Sequence, residues 1–117
     1  IIIVNGEPRI CYARLCAEGK LISSVGHGGS IQYFDVSKIP KQFIDVIYDV
    51  DLRFKQFDPR IYTVDMARSQ SERIWAWEMN IRPGLTWTPG HLDDEKYTKK
   101  LHELIVDVLC ESVNKTG

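Results

Sequence analysis

The spacing of apolar positions changes repeatedly along the chain, and each change marks an element. Residues 8–16, PRICYARLC, read as a strand, residues 17–20, AEGK, as a turn with Gly19 where positive φ is tolerated, and residues 21–25, LISSV, as a returning strand. Residues 27–37, HGGSIQYFDVS, read as a loop carrying two adjacent glycines, and Ser37 with Pro40 marks a helix start. From about residue 38 to 54, Phe43, Ile44, Ile47, Val50 and Phe54 recur at helical spacing and predict one core-facing stripe, with Lys41, Asp45 and Asp49 on the other side. Asp58-Pro59 breaks that period. Two further strands follow, RIYTVDMA at 60–67 and SERIWAWEMN at 71–80, around a polar turn at 69–72. Pro83-Gly84 ends the second strand, and Asp93-Asp94 opens a final helix with Tyr97, Leu101, Leu104, Ile105 and Val108 on one face. The order hairpin, helix, hairpin, helix predicts an α+β fold: an antiparallel sheet built from two hairpins, with helices packed on one side.

The second hairpin is where polar positions change the picture. Side chains alternate along a strand, so Glu78 and Asn80 share one face and Trp77 and Met79 take the other, where core packing is their expected role. A turn centred between Ser71 and Glu72 sets Asp65 directly opposite Glu78, about 5 Å away between Cβ atoms. Two carboxylates and an amide oxygen then converge on one patch. Carboxylates that close repel one another unless one is protonated or a cation sits between them. Magnesium takes oxygen ligands and is commonly held by one or two carboxylates plus phosphate oxygens, so Asp65, Glu78 and Asn80 are candidate metal ligands at a nucleotide-phosphate site. The residues alone also allow Asp65 and Glu78 to be solvated acids paired with lysines or Arg68. Asp51 and Asp58 are read as solvated charges.

Composition removes several function classes. A length of 117 residues fits one domain spanning 1–117, and a net charge of −1, from fifteen basic and sixteen acidic residues, gives no bulk attraction to nucleic acid or membrane. No apolar run approaches the ~20 residues of a membrane span. His27, His91 and His102 have no metal-ligand spacing with each other or with cysteine, which argues against zinc and for surface or hydrogen-bonded roles. Cys11, Cys16 and Cys110 are an odd set, expected to be reduced, partly buried thiols in a cytoplasmic protein. The start at Ile1-Ile2-Ile3 without Met leads us to expect a piece of a longer chain.

Residues 64–87, VDMARSQSERIWAWEMNIRPGLTW, resemble the closing hairpin of the ATP-grasp carboxylate ligases. The pattern there is an aspartate on one strand, a turn, and Glu-x-Asn-x-x-Pro-Gly on the next; Asp65, Glu78, Asn80, Pro83 and Gly84 supply it. Upstream, residues 12–30, YARLCAEGKLISSVGHGGS, are similar to the family's strand with a basic residue, Gly-bearing turn and small-residue loop, matched by Arg14, Gly19 and Gly28-Gly29-Ser30. Ser24 or Val25 stands near the family's Asn, and His27 near a common basic position.

The resemblance implies that Asp65, Glu78 and Asn80 hold Mg2+, with Mn2+ as a substitute, on the phosphates of ATP. It implies that Arg14, with Gly28, Gly29 and Ser30, contacts the nucleotide phosphates, and that Arg14 steadies the acyl-phosphate. The implied activity is an ADP-forming ligase that activates a small-molecule or peptide carboxylate for attack by an amine. The chain corresponds to the C-terminal portion of an ATP-grasp domain, so the missing half is expected in cis or in trans. A non-catalytic, ATP-grasp-derived interaction module is the alternative. Oligomeric state is left open, homo-oligomers included, because the C-terminal helix can serve as an interface as readily as a cover.

Overall fold

The computed structural model describes residues 1–19 and 28–116. Five strands form one sheet in the order β3-β2-β1-β4-β5, with every pair antiparallel. The strands are β1 Ile2–Val4, β2 Glu7–Leu15, β3 Ser30–Phe34, β4 Ile61–Arg68 and β5 Ile74–Asn80. Helix α1 is Lys41–Leu52, preceded by a short 3-10 helix at Val36–Lys38, and α2 is Leu92–Thr116. The α+β class and the antiparallel sheet agree with the sequence pattern.

The sheet is more than two hairpins, because a central strand joins them. Ile2, Ile3 and Val4 are all buried, between β2 on one side and β4 on the other. The turn from β1 to β2 is made by Asn5 (φ 51°) and Gly6 (φ 86°), and two positive φ values suit a two-residue hairpin loop. Gly6 is required there for a second reason. A Cβ at this position would lie 2.6 Å from Asp51 Oδ2 and 3.2 Å from an Arg60 nitrogen. Gly6→Ala is therefore expected to cost at least about 1–2 kcal/mol, from the left-handed backbone alone. A urea midpoint equal to that of the parent chain would contradict this.

The helices do not share a side, contrary to the expectation from pattern. Ile2, Val4 and Ile10 pack with Leu101 and Leu104 of α2, whereas Ile3, Tyr62 and Val64 pack with Ile47 of α1. Neighbours in a strand point to opposite faces, so α1 and α2 cover opposite faces of the sheet. The reason is β1 itself: apolar at consecutive positions, it needs a cover on both faces. The α2 stripe matches the sequence reading, with Tyr97, Ile105 and Val108 beside its core; of the α1 stripe, Ile44, Val50 and, just past the helix end, Phe54 pack beside Ile47, whereas Phe43 is half-buried outside that cluster.

Two local expectations differ. The returning strand proposed at 21–25 lies outside the described residues, and the described partner of β2 is β3, in a stretch expected to be loop. Its pattern alternates, with Ile31 and Tyr33 less exposed than Ser30, Gln32 and Phe34, and the Tyr33 ring stacks on Tyr97 at 4.3 Å between centroids. Asp51 is not solvated. It is 5% exposed, with Oδ1 accepting from Arg60 Nε and the Tyr62 hydroxyl (2.8 Å each) and Oδ2 accepting from Arg60 Nη2 (2.6 Å). The guanidinium of Arg60 first, and the Tyr62 hydroxyl with it, hold the Asp51 carboxyl below its ordinary range against the opposing effect of burial. Asp58 is exposed as expected and pairs with Lys115 at 2.8 Å.

Candidate functional site

The predicted pairing of Asp65 with Glu78 is present, although the turn lies half a residue earlier than expected, centred on Ser71, and a bulge makes up the difference. Asp65 pairs with Glu78, Val64 with Met79 and Thr63 with Asn80. Nearer the turn the register shifts by one residue, between Asp65 and Met66, so Met66 faces Ala76 and Trp77 is the extra residue of the bulge. Paired residues share a face, so Asp65 and Glu78 stand side by side on the face that α2 covers elsewhere. Asn80 lies two residues along the same strand.

Arg14 reaches this patch from β2. Its Nη2 lies 3.3 Å from Asp65 Oδ2, with the two side chains 46% and 23% exposed. An ion pair this open contributes little to stability, so its interest is its position. Burial acts to lower the Arg14 pKa, but the Tyr12 phenol and the carboxylates of Asp65 and Glu78 together leave it raised. Arg14 thus feels both acids, while Glu78 makes no ion pair of its own among the described residues. Asn80 Oδ1 accepts from the Arg82 amide at 2.8 Å, a local turn that fixes the side chain where β5 ends.

The glycine loop is adjacent to this cluster rather than part of it. Gly28 has φ 81° and precedes β3, whose first residue, Ser30, pairs with Leu15. Arg14 pairs with Ile31, so alternation puts the Ser30 side chain on the opposite face from Arg14. Ser24, Val25 and His27 lie outside the described residues. Trp77 and Met79, expected in the core, are 62% and 45% exposed on the edge strand β5, where a cavity separates them from Val46 and Val50 of α1.

A second polar group, at the start of α2, was not anticipated. Asp94 is 5% exposed; it accepts from the Tyr33 hydroxyl and from the Thr88 amide, each at 2.6 Å, while its own N–H donates to His91 Nδ1 at 3.0 Å. Burial pushes the Asp94 carboxyl upward, but the donors Tyr33 and Thr88 outweigh it and hold the pKa below the ordinary value. His102 Nε2 is 2.7 Å from the Leu85 carbonyl, which it bonds as a donor. These contacts tie the loop after Pro83-Gly84 to the sheet and α2. Tyr33→Phe is expected to cost about 1.5–3 kcal/mol, the range for a hydrogen bond to a charged group. Chemical denaturation showing no loss would contradict the role given to Asp94.

Among the described residues no group of three or more His, Cys, Asp and Glu could hold a metal, and the candidate patch contains two carboxylates and an amide. The three cysteines are free, Cys11 half-buried and Cys16 and Cys110 exposed. Among the described residues no helix is long and apolar enough to cross a membrane. No protein-family model, curated protein or solved structure matches the chain.

Proposed function

We propose that this chain supplies the Mg-ATP phosphate site of an ADP-forming ligase of the ATP-grasp kind, with Asp65, Glu78 and Asn80 as metal ligands. The observation that carries the reading is the direct opposition of Asp65 and Glu78, with Arg14 leaning on the pair from the next long strand. The donor set fits magnesium: two carboxylates and an amide oxygen that retains a lone pair beside its bond to Arg82. When bound, the cation would neutralise charge on the phosphates and on the phosphoryl group in transfer.

The chain's own part is electrostatic positioning. Arg14 carries five N–H donors, and those not engaged by Asp65 or the Tyr12 phenol are available to phosphate or acyl-phosphate oxygens. Pro83-Gly84 ends β5 immediately beyond Asn80, and the Asp94 and His102 contacts then hold the departing loop in place. The substrate class proposed is a small-molecule or peptide carboxylate with an amine acceptor. The missing ATP-grasp half, in cis or in trans, is the partner, and the cytoplasm is the proposed compartment.

Calorimetric titration of the chain with ADP, with and without magnesium, tests the reading. Binding heat that appears only with magnesium is expected. Heat that is unchanged when EDTA removes the metal would contradict a site built on these carboxylates.

A further inference from the structure

A cavity of about 340 Å³ lies between the sheet, the first turns of α2 and the loop that joins β5 to α2. Its floor is the face that α2 covers, with Ile10, Tyr12 and Tyr33 from β2 and β3; Tyr97 and Leu101 come from the helix and Trp87 from the loop. The rings are set against one another: Tyr33 stacks on Tyr97 at 4.3 Å and meets Tyr12 at 5.3 Å and 50°. The volume falls within the ~300–1,000 Å³ of small-molecule sites, and walls of this kind take an apolar or ring-shaped body. None of Arg14, Asp65, Glu78 and Asn80 lines it.

One charge faces this apolar space. Asp94 lines the cavity, and neutral donors bond its carboxylate: the Tyr33 hydroxyl on Oδ1, the Thr88 amide on Oδ2, and the Thr88 hydroxyl beside them. Among the described residues no lysine or arginine makes an ion pair with it. The lysines of the same helical turns are engaged elsewhere, Lys96 beside the Tyr97 ring and Lys99 with Glu95. His91 supplies no charge either, because its Nδ1 accepts the Asp94 N–H and so carries no proton. The start of α2 offsets part of the charge through its free amides, which explains an ionised carboxylate but not the cavity beside it. A carboxylate offers about four lone-pair sites, so one remains after these three donors.

We infer that this cavity is a binding site for an organic ammonium, a primary amine carrying a ring or a compact apolar group. An ammonium has three donors and no acceptor, and it brings the countercharge that Asp94 lacks. Buried charges are ordinarily paired, and a pair formed between aromatic walls is stronger than the same pair in water. Thr86 and Thr98 also line the cavity, and their hydroxyl oxygens can accept from the ammonium hydrogens that Asp94 leaves free. The ring or apolar group lies among Tyr12, Tyr97 and Trp87, where aromatic contact adds to burial. A carboxylate ligand is repelled by Asp94, and a neutral ligand of the same shape forgoes the ion pair. This stands on the lining of the cavity and is independent of the ligase reading.

The probe is benzylamine, an ammonium at neutral pH, titrated into the labelled chain without magnesium or nucleotide and followed by NMR. Benzyl alcohol, of similar shape but uncharged, is the control. Saturable shifts centred on the Trp87 indole N–H and the Thr88 amide are expected, with benzyl alcohol bound at least about tenfold more weakly. Asp94→Asn should bring benzylamine down to the affinity of the alcohol, and the comparison of the two probes in the parent chain decides the matter even where that variant does not fold. Equal affinity for the two probes, no saturable shift with benzylamine, or shifts confined to Asp65 and Glu78 would overturn the inference.

Discussion

Glu78→Gln is expected to abolish magnesium-dependent nucleotide binding and to leave the fold intact. Glu78 is exposed and has no ion-pair partner among the described residues, so neutralising it removes no packing and no hydrogen bond on which the hairpin depends. It does remove one of the two carboxylates proposed as ligands. The amide that replaces it keeps an oxygen but not the charge, and Mg2+ selects for charge as well as for oxygen. A loss of at least about tenfold in affinity, or roughly 1.4 kcal/mol, is the minimum expected. Asp65→Asn should act alike while also releasing Arg14, whose bond to Asp65 Oδ2 is its one ion pair among the described residues. Circular dichroism and thermal melting of both variants should match the parent. Unchanged magnesium-dependent affinity in both would remove the site assignment.

The second large effect is on stability and comes from a residue with no part in the site. Asp51→Ala is expected to cost about 3–5 kcal/mol, because it strands a guanidinium that is 12% exposed and leaves the Tyr62 hydroxyl without its acceptor. Against a total of roughly 5–15 kcal/mol for a domain this is a large fraction. The pH dependence follows in sign. The folded-state pKa of Asp51 is depressed, so its contribution is complete above the unfolded value near ~3.9 and is lost as pH falls through the lower folded value. Urea unfolding as a function of pH should show the parent losing stability through that acid window and Asp51→Ala losing less of it. A variant as stable as the parent at neutral pH would show that Arg60 and Tyr62 are satisfied in another way.

The opposition of Asp65 and Glu78 was legible in the sequence because strand alternation and a short polar turn are local signals that bound the register to within a residue. The turn pairs Arg68 with Ile74, a register that alone would set Asp65 opposite Trp77; the bulge at Trp77 shifts it by one residue and brings Glu78 opposite Asp65 and Asn80 opposite Thr63. The helices were legible for the same reason, since their periodicity is local. What sequence pattern missed is set by long-range contacts. Ile1, Ile2 and Ile3 announce a strand, but nothing in them says that it becomes the centre of the sheet, and that placement is what sends α1 and α2 to opposite faces. Asp51 sits on the helix between the core positions Ile47 and Phe54, and only the return of β4 brings Arg60 and Tyr62 to it. Asp94 read as a first-turn acid suited to a helix dipole; its partner Tyr33 lies sixty-one residues away. One missed signal was available locally. Asn5-Gly6 between apolar runs is a two-residue hairpin turn, and it defines the β1–β2 pair.

The claim that matters most is that a divalent cation seats on Asp65, Glu78 and Asn80 with nucleotide phosphate. Mn2+ in place of Mg2+ makes this directly visible, since its paramagnetism broadens the NMR signals of nearby amides. Titration of the labelled chain with Mn2+ and ADP should broaden the amides of Asp65, Glu78 and Asn80 first, and the same titration of Glu78→Gln should not. Broadening that begins at the acids opening α2, Asp93 to Glu95, or that is the same in the parent chain and the variant, would contradict the site.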